Sequence, residues 1–352
     1  MKIITCASYY GCGSSAVTDL FSEYDGVKSL GEFEFRFLQD IDGVSDLEFH
    51  LTECPNRHNS GHALKRFMYL SNFNAGTKYN SRYEKYFNDQ YLKLTKEYCD
   101  KLTLYSYTGH WFYDYYDHRS IKGYYAVQLI NKILNRLRLI KWRPLHNEKT
   151  FGVITDKNQF LEYTREYTHR LFKASAESDA EYLMIDQLIP SSNIDRCLRY
   201  IKDDIYVFVV DRDPRDLYIM AKYVWINDTI IPTETPELFC KWFRFTRGCA
   251  EGQNTDPMRV VKIKFEDLIY RYLETRDKLT AMVGLDESKH THSFSDFNPR
   301  RSVVNTQSWK KHPQSIEDIQ YIEKTLPEYL YDFDAVAENM IHGVECDNKT
   351  NF

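Results

Sequence analysis

No pair of cysteines in the 352-residue chain stands at Cys-x-x-Cys spacing. The eight cysteines, at 6, 12, 54, 99, 197, 240, 249 and 346, are scattered. That distribution argues against a structural zinc site or a disulfide framework and fits a reducing compartment. Nor does any run approach the roughly 18 apolar residues needed to span a bilayer. An excess of positive charge is missing too. With 46 Lys and Arg against 51 Asp and Glu, the net charge is −5, so the dominant basic surface of a general nucleic-acid binder is lacking and no nucleic-acid partner is expected. No internal repeat or low-complexity linker is visible. No signal peptide is visible either, because Lys2-Ile3-Ile4-Thr5-Cys6-Ala7 reads as a strand. Asn227-Asp228-Thr229 and Asn348-Lys349-Thr350 match the glycosylation pattern. Without a secretion signal they are read as chance, and the expected location is cytoplasmic.

The composition that is present, 43% hydrophobic and 15% aromatic, belongs to a soluble globular protein with a sizeable core. A short β run at Ile3 to Ala7 leads through a Gly/Ser turn to a helical stretch from Ser14 to about Tyr24. Glu32 to Leu38 alternates charged and apolar residues with period two, as a second strand or the loop leaving one. Buried-looking runs recur at Tyr182 to Ile185, Ile205 to Val210 and Val260 to Phe265. Continuous β-branched and aromatic runs separated by helical segments point to a parallel sheet covered on both faces. The fold class expected is therefore α/β, a single domain over residues 1–352. A large, polar, Tyr-rich and mostly helical insertion occupies about 50 to 175 and is expected to form the acceptor cleft.

Within that insertion, Gln128 to Arg143 places Leu129, Ile133, Leu137 and Ile140 on one helical face, with Lys132, Arg136, Arg138, Lys141 and Arg143 around it. It reads first as a core helix with a solvated basic face. The second reading is a docking site for a membrane surface or an anionic polymer, a peripheral membrane contact through 128–143.

The segment Ser8-Tyr9-Tyr10-Gly11-Cys12-Gly13-Ser14-Ser15 joins the first strand to the first helix. Its glycines let the backbone turn and bring N–H groups towards an anion, and the helix start adds unsatisfied donors and a positive dipole end. Gly11, Cys12, Gly13, Ser14 and Ser15 thus form a candidate phosphate cradle. The competing reading is an ordinary strand-to-helix connection capped by Ser14. A nucleoside-triphosphatase loop would place lysine after its last glycine, but Ser14 stands there. The dinucleotide fingerprint G-x-G-x-x-G is incomplete, with Ala16 at its third small position. The loop suits a phosphate that is held rather than transferred.

The most specific segment is Val207 to Leu217, in which a buried strand ends in Asp211-Arg212-Asp213 and Pro214 opens the next helix. Proline suits a first helical turn, and Arg212 at the strand's carboxyl end has the fork geometry for phosphate. Open α/β sheets bind ligands at that end.

Together these segments resemble the PAPS-dependent sulfotransferases, whose donor is 3′-phosphoadenosine 5′-phosphosulfate (PAPS). Gly11 to Ser15, followed by Leu20-Phe21, looks like the loop holding the 5′-phosphosulfate. Arg212-Asp213-Pro214-Arg215-Asp216 resembles the Arg-x-Pro-Arg-Asp segment, whose first arginine holds the 3′-phosphate. Arg300-Arg301-Ser302, with Trp309-Lys310-Lys311-His312, is similar to the late Arg-Lys-Gly loop, a second grip on that phosphate. Val261 to Leu268 resembles the strand and helix start that follow in the family. The likeness covers roughly residues 1–40 and 180–315. It implies a P-loop-like three-layer α/β/α fold, PAPS as co-substrate and no metal or redox cofactor. Three positions differ from the family's pattern: Gly11 where many members carry a cation, Met220 where a serine is frequent, and Ser302 where glycine is usual. Arg36, Lys222 or another site is a candidate for the missing cation, with backbone donors as the alternative.

Sulfuryl transfer also needs a base for the acceptor proton. Glu34-Phe35-Arg36-Phe37 resembles the Glu-x-x-Phe segment of glycan sulfotransferases, which makes Glu34 the first candidate and Glu32 the second. His110 and His118 stay open as bases, since histidine serves in the cytosolic small-molecule branch. His110, Asp114, Asp117 and His118 share a helical face, but the interleaved Trp and Tyr suit a packed aromatic surface better than a metal site. Gln187, His110 and Tyr113 are the expected acceptor contacts. The acceptor expected is a carbohydrate hydroxyl, with a sterol or lipid alcohol as the alternative, served by the aromatic segment Tyr105 to Tyr116. A P-loop kinase with an atypical loop and a binding module that has lost catalysis are the rival classes.

Overall fold

The computed structural model describes residues 1–352 apart from 110–119, 139–147, 177–179, 227–228, 254, 337–352 and the side chain of Glu32. The chain divides into two compact units. The first comprises Met1–Arg36, Ala176–Leu198 and Asp203–Phe352, and the second Phe37–Ser175 with Arg199–Lys202. Among the described residues seven strands run in chain order: β1 (Lys2–Cys6), β2 (Val27–Glu34), β3 (Thr103–Gly109), β4 (Glu148–Val153), β5 (Tyr182–Asp186), β6 (Ile205–Asp211) and β7 (Val260–Lys264).

In the first unit five strands form one sheet in the order β2-β5-β1-β6-β7, and every neighbouring pair is parallel. The continuous apolar runs arise because both faces of the sheet are covered. Ile4, Cys6, Met184, Phe208 and Val210 are buried, and so are the alternating residues Ile3, Leu183, Ile185, Val207 and Val209. The first set packs with Val17, Leu20 and Phe21 of the helix Ser14–Ser22 and with Leu279 and Val283 of the helix Tyr272–Val283. Phe21 stacks on Phe208 with ring centroids 5.5 Å apart and planes 8° from parallel. A second cluster joins the helices Pro214–Ile219, Pro236–Gly248 and Ile316–Thr325 through Leu217, Tyr218, Phe239, Phe243, Ile319 and Ile322. This is the expected α/β class, a parallel sheet flanked by helices.

The order of the strands decides where a ligand fits. The chain leaves the central β1 for β2 and β5 on one side, then crosses to β6 and β7 on the other. A crevice opens beyond the carboxyl ends where the winding reverses. Those ends are Cys6, Asp186 and Asp211, with Glu34 and Lys264 at the sheet's two edges. The pairing of β2 with β5 slips between Ser29 and Glu34, and this irregularity returns Glu34 to register opposite Asp186.

The second unit is not purely helical. Its helices Arg57–Ala75, Tyr91–Leu102 and Lys157–Ser175 accompany an antiparallel β3–β4 pair. Many of its tyrosines are core residues. Tyr83, Tyr91, Tyr98 and Tyr167 are buried, Tyr98 stacks on Tyr167 at 4.5 Å, and their hydroxyls bond Thr164 at 2.7 Å and Thr95 at 2.8 Å. Glu48 is fully buried and accepts from Tyr200 at 2.6 Å and Arg199 at 3.1 Å. The expectation of a core helix at Gln128 to Arg143 is corrected. The helix spans Ile121–Arg136, with Ser120 as its cap, and none of its residues is buried; 139–147 lie outside the described residues.

Phe21→Ala removes a fully buried ring from between sheet and helix. It should cost about 3–5 kcal/mol, read as a lower denaturant midpoint for the transition of the first unit. A shift below about 1 kcal/mol would mean that the site relaxes to fill the space.

Candidate functional site

The loop after β1 turns on two residues that only glycine suits. Gly11 and Gly13 have φ of 72° and 90°. A Cβ on Gly11 would lie 2.8 Å from the Trp225 ring, and one on Gly13 would lie 2.6 Å from the Phe265 ring. Gly13 is the residue capping the helix Ser14–Ser22, and it offers no side chain to the first-turn amides. Capping by Ser14, the ordinary reading of this turn, is therefore absent. Its hydroxyl instead donates to Asp186 Oδ2 at 3.0 Å. Ala16 donates its N–H to Gly13 O at 3.2 Å, and the amides of Ser14 and Ser15 stand at the positive end of the helix, where an anion binds.

Three arginines gather near the end of β6, and their partners distinguish them. Arg215 is bound to Asp213 at 2.7 Å and Glu323 at 2.9 Å and lies over the Trp309 ring. Arg247 is held by Asp211 between the rings of Tyr9 and Phe243. Arg212 is only 3% exposed, yet among the described residues no carboxylate pairs with it. Its guanidinium donates to Gly11 O at 3.3 Å and to Asn305 O, lies over the Phe265 ring at 4.8 Å, and leaves Nε without a partner. The Asp216 and Glu266 carboxyls feel its charge, but a buried cation without a direct ion pair still favours an anionic ligand. The second charge layer fixes its surroundings. Asp216 accepts from the backbone of Gln307 at 2.9 Å and Ser308 at 2.7 Å, tying the segment that carries Asn305 to the helix that follows Arg212.

These groups wall a cavity of about 610 Å³. Its lining includes Gly11, Gly13, Ser14, Ser15, Glu34, Gln187 and Arg212 among the expected residues. Gln187, with φ 55°, donates its backbone N–H to Cys6 O at 3.1 Å and so joins the ends of β5 and β1. Glu34, the last residue of β2, has a half-exposed carboxylate 3.8 Å from Arg36. Beside it in the sheet, burial and the Glu34 charge push the Asp186 carboxyl up to about 7, against the bond from Ser14. A carboxyl in that range exchanges protons at neutral pH.

Other expected residues lie elsewhere. Cys12 is buried, and its sulfur accepts from Arg247 at 3.2 Å; burial, only partly offset by Arg247, pushes its thiol up to about 12. Arg300, Arg301 and Ser302 form the short helix Pro299–Ser302 and do not line the cavity; Arg301 Nη2 lies 3.4 Å from Phe294 O. That segment reaches the cavity through Asn305. Arg36 is likewise not in the lining, and Lys222 is bound to Asp318 at 2.8 Å and Tyr218 at 3.0 Å. His110, Tyr113 and His118 fall outside the described residues, and so does the Glu32 side chain.

Gly31, Trp225 and Asn305 line the cavity too and belong to no segment that sequence patterns selected. Asp186 is visible as a charged end of an apolar strand. Trp225 is not, because it arrives through a π-helical turn, Met220–Val224, closed by its own N–H bonding Met220 O at 2.9 Å.

No family model matches the chain, and no curated protein matches it significantly. Among solved structures it is similar to the sulfotransferase STF1 from Mycobacterium tuberculosis H37Rv. The TM-score is 0.35 and the identity 10%, over 88% of this chain and 77% of that one. A likeness at that level identifies neither residues nor chemistry in this chain.

Gly13→Ala should cost about 1–2 kcal/mol for the left-handed backbone alone, plus displacement of Phe265. Thermal or denaturant unfolding that matches the unsubstituted chain would show that the loop can flatten. Asp186 supplies a pH test. An unfolded aspartate titrates near 3.9, whereas this one holds its proton to about 7. Between those values the folded chain binds more protons, so its stability falls as pH rises, by at most about 1.4 kcal/mol per pH unit for this group. Asp186→Asn should remove that increment from the slope of stability against pH; an unchanged slope would mean that Asp186 titrates normally.

Proposed function

We propose that this chain is a sulfotransferase that moves the sulfuryl group of PAPS to an acceptor hydroxyl, with a carbohydrate as the first acceptor class. The observation that carries the reading is the buried Arg212, without an ion pair among the described residues and 3.3 Å from the glycine loop in the wall of one cavity. The loop amides and the helix start suit the donor's 5′-phosphate, and Arg212 suits its 3′-phosphate. In the reaction, the acceptor oxygen forms a bond to sulfur as the bond from sulfur to the bridging phosphate oxygen breaks. The electron pair leaves with 3′-phosphoadenosine 5′-phosphate, and the acceptor proton passes to a carboxylate. Glu34 is the first candidate for that proton, and Asp186 beside it in the sheet is the second. Gln187, in the same wall, is suited to bonding the acceptor.

The wall also carries Tyr9, Tyr10, Phe33, Trp225 and Phe265. Aromatic faces pack against sugar rings and apolar alcohols alike, so a sterol or lipid alcohol is the alternative acceptor. A kinase is disfavoured because Ser14 stands where a phosphate-binding lysine would be needed.

Calorimetric titration with 3′-phosphoadenosine 5′-phosphate, AMP and ATP, without magnesium, should show selective binding of the 3′-phosphorylated ligand. Arg212→Ala should weaken it about 100-fold. Glu34→Gln should lower turnover by about 10²–10⁴ while leaving that affinity nearly intact. Equal binding of the three nucleotides would overturn the donor assignment, and full turnover in Glu34→Gln would move the base to Asp186.

A further inference from the structure

The helix Ile121–Arg136 has no buried residue along its 16 positions. Ile121, Tyr125, Leu129 and Ile133, with Leu137 just past its end, recur every four residues and are 64%, 65%, 59%, 49% and 62% exposed. At that spacing they form one continuous stripe. Lys122, Lys132, Arg136 and Arg138 are exposed as well. The charge beside them is one-sided: the described residues 120–138 hold four Lys or Arg and no Asp or Glu, in a chain whose acids outnumber its bases by 51 to 46. A large apolar stripe left in water is unfavourable, and such a patch marks a surface with a partner.

We propose that this face docks on the surface of an anionic lipid bilayer. The apolar stripe would enter the headgroup boundary, and the lysines and arginines, with long apolar stems, would reach the lipid phosphates from it. The two halves of the pattern require each other in this setting. A nucleic acid would use the cations and leave the stripe in water. A neutral protein groove would cover the stripe without favouring the loss of every carboxylate over residues 120–138. The inference concerns the second unit alone and is independent of the reaction assigned to the cavity.

Flotation of the full chain with vesicles of phosphatidylcholine, alone or mixed with phosphatidylserine, tests it. The chain should float with the mixed vesicles only, and less so as salt rises. Lys132→Gln and Arg136→Gln should each weaken binding about fivefold. Ile133→Ser with Leu137→Ser should abolish flotation, with circular dichroism confirming that the chain stays folded. Equal recovery with both vesicle types, or none with either, would overturn the proposal. So would sedimentation showing a dimer that the Ile133→Ser, Leu137→Ser variant loses, because a second copy would then cover the face.

Discussion

Keeping the Arg212 guanidinium buried without an ion pair among the described residues is the constraint around which the first unit is arranged. Two carbonyl oxygens and one aromatic face support it, and these solvate a cation without neutralising it. The neighbours are organised so that their own charges cancel elsewhere. Asp213 takes Arg215, caps the helix Pro214–Ile219 and accepts the Tyr331 N–H at 2.8 Å. Asp211 takes Arg247 and Lys264. Burial alone would raise the Asp211 carboxyl, but those two cations hold it below the usual range. Asp216, buried and pushed up to about 6, spends its acceptors on the backbone of Gln307 and Ser308. If any of these carboxylates turned to Arg212, the cavity would lose its one described cation.

Much of this was legible in the chain because it follows from local rules. Parallel strands covered on both faces must be apolar throughout, which made β1, β5, β6 and β7 visible. Glycines at positive φ and a proline at a first helical turn are similarly direct, so the loop at Gly11–Ser15 and the helix start at Pro214 could be placed. The limits are equally physical. Arg212, Arg215 and Arg247 are the same residue type near the same strand end, and only their partners separate them. Arg215 has one partner two residues away, Asp213, and another far along the chain, Glu323, while Arg247 reaches Asp211 at the end of a different element. Arg300 and Arg301 are more conspicuous in the sequence than Asn305, yet the chain brings Asn305 to the cavity, where its carbonyl oxygen accepts from the Arg212 guanidinium.

The tyrosines of the second unit were a different kind of misdirection. An aromatic-rich, polar segment looks like a binding surface when nothing indicates which rings are covered. Here Tyr91, Tyr98 and Tyr167 are packed as core, and the hydroxyls of Tyr98 and Tyr167 bond Thr164 and Thr95 on a facing helix. Tyrosine can serve this way because its ring buries as well as phenylalanine's provided that the hydroxyl finds a partner. Exposed rings do remain in the unit, at Tyr105 and Tyr107 of β3 and at Tyr125.

Hydrophobic periodicity carries the same ambiguity on the helix Ile121–Arg136. A four-residue apolar repeat reports that one side of a helix avoids water, but not what replaces the water. In the helix Lys157–Ser175 the repeat at Phe160, Thr164, Tyr167 and Leu171 is answered by buried neighbours, and acidic residues alternate with basic ones on its open side. In Ile121–Arg136 no residue is buried and no acid is present. An ordinary solvated helix face mixes charges of both signs, since opposite charges three or four residues apart stabilise one another. Exclusion of one sign forgoes that stabilisation, and a surface that supplies the missing negative charge from outside restores it.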